Sequence, residues 1–259
     1  MRLLGCLCLL AWPLAGFSET QPEDPFSTPY VYQNAGVGPG HSLSVQYEVA
    51  YGTRDSRSFA KEGVEQGLRV RYQPLDFLGL EAFGGIVLSS SAVRGQAASL
   101  EVIGRALNQA RHYINLDIGL GYAYDYRQDH VPRVRLVLDR SFGPWDIALS
   151  GLLEVPVGGA GRDEADIITT MAVSYAVLRT LRLGLELGGE DLEGLFEDEE
   201  AEGGAKVLFG PTLSWALPLD FFVKINASAL RAFVDNQRSL NLGSAWGFMG
   251  RLVLGWTWR

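Results

Sequence analysis

Hydrophobic and polar residues alternate along most of this chain. In INLDIGLGYAYDY, Ile114, Leu116, Ile118, Leu120, Tyr122, Tyr124 and Tyr126 share one parity, and Asn115, Asp117, Gly119, Gly121, Ala123 and Asp125 share the other. A strand turns successive side chains to opposite faces. The stretch therefore predicts a strand with one apolar face and one face of small and acidic residues, two sets that a helix would mix around its circumference.

The pattern recurs and predicts twelve strands. Their apolar parities begin with Leu43–Tyr51, Val64–Tyr72, Leu80–Leu88, Leu100–Ala106 and the stretch above. They continue with Val134–Leu138, Trp145–Val155, Ile167–Val177, Leu181–Leu187, Val207–Leu217, Phe221–Ala227 and Trp246–Trp258. Connections after even-numbered strands are short, such as PLDFLG, SFGP and PLD. Most of those after odd-numbered strands are longer, notably 52–63, 156–166, 189–205 and 232–245, and Ser89–Gly95 is also expected to be a loop. An even number of strands with alternating short and long connections predicts an antiparallel, up-and-down transmembrane β-barrel. With the N-terminus in the periplasm, every long connection falls outside.

Aromatic residues sort to the strand ends. Tyr51, Tyr124, Tyr126 and Trp246 fall at the outer ends, and Tyr72, Trp145, Trp215, Trp256 and Trp258 at the inner ends. This is the arrangement expected of two interfacial girdles. A soluble β-sandwich or propeller, the competing architecture, would show shorter apolar faces and no such sorting.

Composition adds three constraints. Residues 1–18 have the charged start, apolar core and small-residue end of a signal peptide. Both cysteines, Cys6 and Cys8, lie within them, leaving no thiol for a disulfide in the mature chain. Residues 19–41 are rich in Pro, Gly and acid and are expected to form a periplasmic leader, either extended or folded back into a lumen. The barrel then occupies 42–259. A net charge of −8 argues against nucleic acid as a partner.

Residues 42–259 resemble the outer-membrane β-barrel proteins of Gram-negative bacteria, notably in the C-terminal strand GRLVLGWTWR. The resemblance implies outer-membrane lipid and the barrel-assembly machinery as partners, the latter through that strand. Such chains usually finish on an aromatic residue, whereas this one finishes on Arg259. The stretch GGEDLEG…EAEGGAKVLFGPTLSW also resembles, loosely, uncharacterised barrels grouped with phenol-pathway outer-membrane channels.

The inward parity carries the candidate lumen residues Arg69, Arg71, Glu81, Glu101, Arg105, Asp117, Arg133, Arg135, Asp139, Glu154, Glu186 and Arg251. Buried charge must be paired or wet. An internal salt-bridge network is therefore the leading expectation, ahead of a selective basic strip. The acidic loop at 190–202 lacks ordered ligand spacing and is read as a solvated charged loop. No cofactor, metal-ligand or phosphate-loop motif is present. The expected function is a passive, porin-like channel for small solutes rather than an enzyme. One alternative is a structural or adhesive barrel. A second is an outer-leaflet lipid hydrolase using His130 with a serine from Ser89, Ser90 or Ser91.

Overall fold

A computed structural model describes residues 36–38, 40–53, 63–89, 92–126, 129–157, 165–190, 205–233 and 246–259. The expected signal peptide, most of the leader and the acidic loop lie outside the described residues.

The chain forms twelve antiparallel strands: β1 Ser42–Gly52, β2 Gly63–Leu75, β3 Leu78–Ser89, β4 Ala92–Leu107, β5 Asn115–Tyr124 and β6 His130–Phe142, then β7 Trp145–Glu154, β8 Asp166–Ala176, β9 Leu181–Glu190, β10 Ala205–Ala216, β11 Phe221–Phe233 and β12 Trp246–Trp258. Each pairs with its sequence neighbours. β1 closes on β12 over Leu43↔Trp258 through Gly52↔Met249, so the sheet is a closed barrel. Closure leaves no edge strand, which an apolar medium requires because it cannot hydrogen-bond free backbone groups.

The two parities separate cleanly. Leu120 is 62% exposed on the outside, while Asp117 on the same strand is 0% exposed within. Leu100, Leu136, Leu149, Leu185 and Phe209 all face outward. The lower end of the barrel, where β1 begins and β12 ends, carries Tyr72, Trp145, Trp215, Trp256 and Trp258 on its outer surface. Tyr51, Tyr124 and Trp246 lie near the opposite, far end. Trp145 and Tyr175 pack edge to face at 4.8 Å.

Turns at the lower end are built by side chains. A single helical turn, α1 Gln109–His112, follows Asn108, whose side chain accepts from the Ala110 amide. The Gln109 side chain exchanges two hydrogen bonds with the backbone of Ser141, tying this turn to β6. Between β3 and β4 the expected Ser89–Gly95 loop gives way to ladder. β3 runs to Ser89, β4 starts at Ala92, and a register shift falls between Val87 and Leu88. The ladder is a backbone property and continues through Gly95 and Gln96 although the apolar alternation has stopped there.

Leu120 and Leu149 sit mid-strand on the outer face, so an arginine at either would face hydrocarbon. Leu120→Arg or Leu149→Arg should destabilise the barrel by about 2–4 kcal/mol, as for midplane positions generally. Denaturant titration of folding into lipid vesicles checks this; parent-like midpoints would contradict the assigned parity.

Candidate functional site

The interior is asymmetric. On the wall from β12 through β1 to β6, six arginines meet five carboxylates in close contact. Arg251 lies 3.2 Å from Glu48 and 3.6 Å from Glu65. Arg69 bridges Glu48 and Glu81, each at 2.6 Å, and its guanidinium stacks 4.7 Å from the Phe83 ring centroid. Arg71 also reaches Glu81 at 2.6 Å. Arg105 pairs with Asp117 at 2.9 Å. Finally, Arg133 and Arg135 share Glu101, at 3.1 Å and 2.7 Å. The 2.7 Å contact of Arg135 Nε is too bent for a hydrogen bond and acts through charge, while its Nη2 donates to Glu101 at 2.8 Å.

Antiparallel register creates these pairs. Arg71 lies opposite Glu81, and Arg105 opposite Asp117. Gly119 and Gly121 on β5 face Arg135 and Arg133 across β6. A β-carbon at Gly119 would overlap Glu101, so the glycine leaves room for the carboxylate between its two arginines.

The opposite wall, β7 to β11, is mostly small. Ser150, Thr170, Ser174, Thr212, Ser214 and Ser228 are buried there, with Ala148 and Ala172 among them. Its charged contacts include Arg182 with Asp146, and Asn226 donating to Glu186 at 3.2 Å. Towards the far end an apolar cluster lies among charged residues, with Ala50 in register with both Glu65 and Arg251. Ala50, Val87, Leu208, Leu230 and Met249 form one buried cluster, with Tyr126 packed against it.

Residues 36–38 lie inside the barrel. The Val37 amide donates to Asp117 at 2.5 Å, Arg105 donates to the Val37 carbonyl, and Arg71 donates to the Gly36 carbonyl at 3.3 Å. A β-carbon at Gly36 would overlap the Asp117 carboxylate, so this close approach requires glycine. The Gly40 amide then donates to Asp76 at 2.8 Å, fixing where the chain enters β1 beside the β2–β3 turn.

All twelve candidate lumen residues fall on the inner parity. Arg69, Arg71, Glu81, Glu101, Arg105, Asp117, Arg133, Arg135 and Arg251 come together on the charged wall. Asp139 stands apart near the lower end, accepting from Asn115 at 2.8 Å. Glu154 lies across from Arg133 in register, and Glu186 is on the opposite wall. Eight of the nine girdle residues are exposed on the outer surface. Tyr126 is the correction. It follows the end of β5, where strict alternation no longer applies, and its hydroxyl reaches the interior beside Gly85. Burial, with Glu65 close by, pushes the Tyr126 phenol up, which keeps it neutral. His130 faces outward with Nδ1 2.8 Å from the Tyr122 hydroxyl, while Ser90 and Ser91 lie outside the described residues. Among the described residues no acidic, His or Cys cluster suits a metal ion.

No family model and no curated protein matches the chain. Solved structures do. The KdgM porin superposes with TM-score 0.57 at 10% identity, covering 83% of this chain and 99% of that one. A NanC porin gives 0.55 at 12% identity over 82% and 98%. An outer-membrane channel from Pseudomonas putida F1 gives 0.56 at 15% identity over 89% and 99%. At these identities the likeness is one of fold. The chain has the closed, antiparallel twelve-stranded architecture of porin-like outer-membrane barrels.

Glu101 is the sole carboxylate in hydrogen-bonding contact with Arg135 among the described residues. Glu101→Gln should therefore cost about 3–5 kcal/mol, the range for breaking a buried pair from one side. Urea unfolding in detergent micelles checks this; a loss below about 1 kcal/mol would show the two arginines to be hydrated.

Proposed function

We propose that this chain is a passive outer-membrane channel for small solutes. The observation that carries the reading is the combination of a continuous apolar exterior with an interior of paired charges facing a wall of hydroxyls. A barrel serving only as an anchor needs the first feature; the second provides hydrogen-bonding groups along the axis, as solute pores do. The fold likeness to porins supports the same reading. A structural or adhesive barrel is the second reading, supported by the contacts that Gly36 and Val37 make with the charged wall. A hydrolase has no support beyond His130, whose described contacts are aromatic.

Under the channel reading, selectivity is mild because most inner charge is paired. Removing Arg133 and Arg135 together leaves Glu101 as uncompensated negative charge on the wall. In planar bilayers under a salt gradient, the Arg133→Gln, Arg135→Gln double variant should shift the reversal potential toward cations. A parent without conductance would contradict the channel reading and favour the structural barrel. An unchanged reversal potential in a conducting variant would place this pair away from the constriction.

A further inference from the structure

We propose that the outer surface of the lower rim, from β4 to β9, binds the headgroups of anionic phospholipids. This surface lies outside the pore and stands apart from the channel reading. Three consecutive lower turns, residues 108–114, 143–144 and 177–180, build it together with the adjoining end of β6. They bring Arg111, Arg140 and Arg179 to one sector of the rim. Arg140 shares the outward parity of Leu136 and Leu138 and is across from Ile147 in register. Its guanidinium lies 5.9 Å from the Phe142 ring centroid. Arg111 and Arg179 are exposed in their turns. Among the described residues none of the three arginines makes an ion pair. The acids nearest to them in sequence belong to the interior: Asp139 accepts from Asn115, and Asp146 pairs with Arg182. The three turns themselves contain no acid, whereas the other two lower turns carry Asp76 and Asp220.

Between its charges the same sector is apolar and accessible. Tyr113 is 77% exposed and Leu178 60% exposed, and Phe142 and Trp145 face outward beside Arg140. Tyr113 caps α1 with a left-handed backbone at φ 66°, a conformation that favours glycine. A large amphipathic ring held exposed in that position suits a headgroup layer. The two hydrogen bonds between Gln109 and Ser141 brace α1 against β6, so one unit carries both Arg111 and Arg140. Guanidinium groups bind phosphate oxygens through their planar fork, and the stem of an arginine can follow an apolar wall while its charge reaches the headgroups. A free phosphate would use the arginines alone. A phospholipid also uses the rings and lays its acyl chains along Leu138 and Leu149, which are exposed on the outer face. With short turns on the periplasmic side, as bacterial barrels have them, this rim borders phospholipid. The acid-free cationic sector favours an anionic headgroup over a zwitterionic one.

The test is native mass spectrometry of the purified full chain in detergent micelles supplemented with phosphatidylglycerol, phosphatidylcholine or lipid A. Phosphatidylglycerol should be retained at least fivefold more than phosphatidylcholine. Arg140→Gln should lower that retention at least threefold while the barrel stays folded by circular dichroism. Because Arg140 adjoins the wall, Arg111→Gln combined with Arg179→Gln provides a second variant confined to the turns, with the same expected loss. Arg231→Gln is the comparison. Arg231 also faces outward beside an aromatic ring, 5.3 Å from that of Trp246, but at the far end, and its loss should leave retention unchanged. Retention of phosphatidylglycerol no greater than that of phosphatidylcholine overturns the surface. So does retention that neither lower-rim variant reduces, or that Arg231→Gln reduces as much as Arg140→Gln does. Displacement of the lipid by millimolar inorganic phosphate, or stronger retention of lipid A, overturns the assignment to phospholipid.

Discussion

An arginine enclosed by a lipid-facing wall must have an anion beside it, and most of this interior follows from that constraint. Neutralising a guanidinium by deprotonation is not open to it, so the charge has to be met by partners. The register of β1 to β6 and β12 supplies them, setting Arg71 opposite Glu81 and Arg105 opposite Asp117. Glycines at 119 and 121 keep space where Glu101 must reach two arginines at once. Residues 36 and 37 serve the same constraint. Their carbonyls accept from Arg71 and Arg105, and the Val37 amide occupies the free side of Asp117. The opposite wall carries fewer guanidinium groups and can be built mainly of serine, threonine and alanine.

The division of labour between walls connects structure to function. A uniformly charged interior of one sign would select strongly, and an entirely apolar one would exclude water. Here one wall provides near-balanced charge, the other provides hydroxyls, and the far end narrows the chemistry again with an apolar cluster. Under the channel reading, solutes would be sorted by how well they match this sequence of surfaces rather than by net charge alone.

Much of the fold was legible in the sequence because hydrocarbon enforces period-two alternation on every strand. Leu120 outside and Asp117 inside were assigned by parity alone, as were Leu149 and Ser150. Legibility failed where that enforcement stops. Tyr126 lies beyond the end of β5 and turns inward, and the start of β4 is ladder without an apolar stripe. The inner face was legible as a set of residues but not as a network. Which carboxylate meets which arginine depends on the registers between strands, and period two does not specify those. The lodging of Gly36 and Val37 against Asp117 has no periodic signal at all. The glycines at 36, 38 and 40 before the first strand were its only residue-level trace.

The central claim is that the inner face is a polar interior, reached by water along its hydroxyl wall and distinct from the lipid-facing wall. Adjacent residues on β7 test it, since Leu149 faces out and Ser150 faces in. Cys6 and Cys8 fall in the expected signal peptide, so single-cysteine variants of the mature chain can each carry one spin label. Relaxation enhancement is then measured in bilayers with oxygen, which partitions into lipid, and with a water-soluble nickel chelate. The account predicts that oxygen dominates at Leu149→Cys and the nickel chelate at Ser150→Cys. Shielding of Ser150→Cys from both agents, or identical profiles at the two positions, would contradict it.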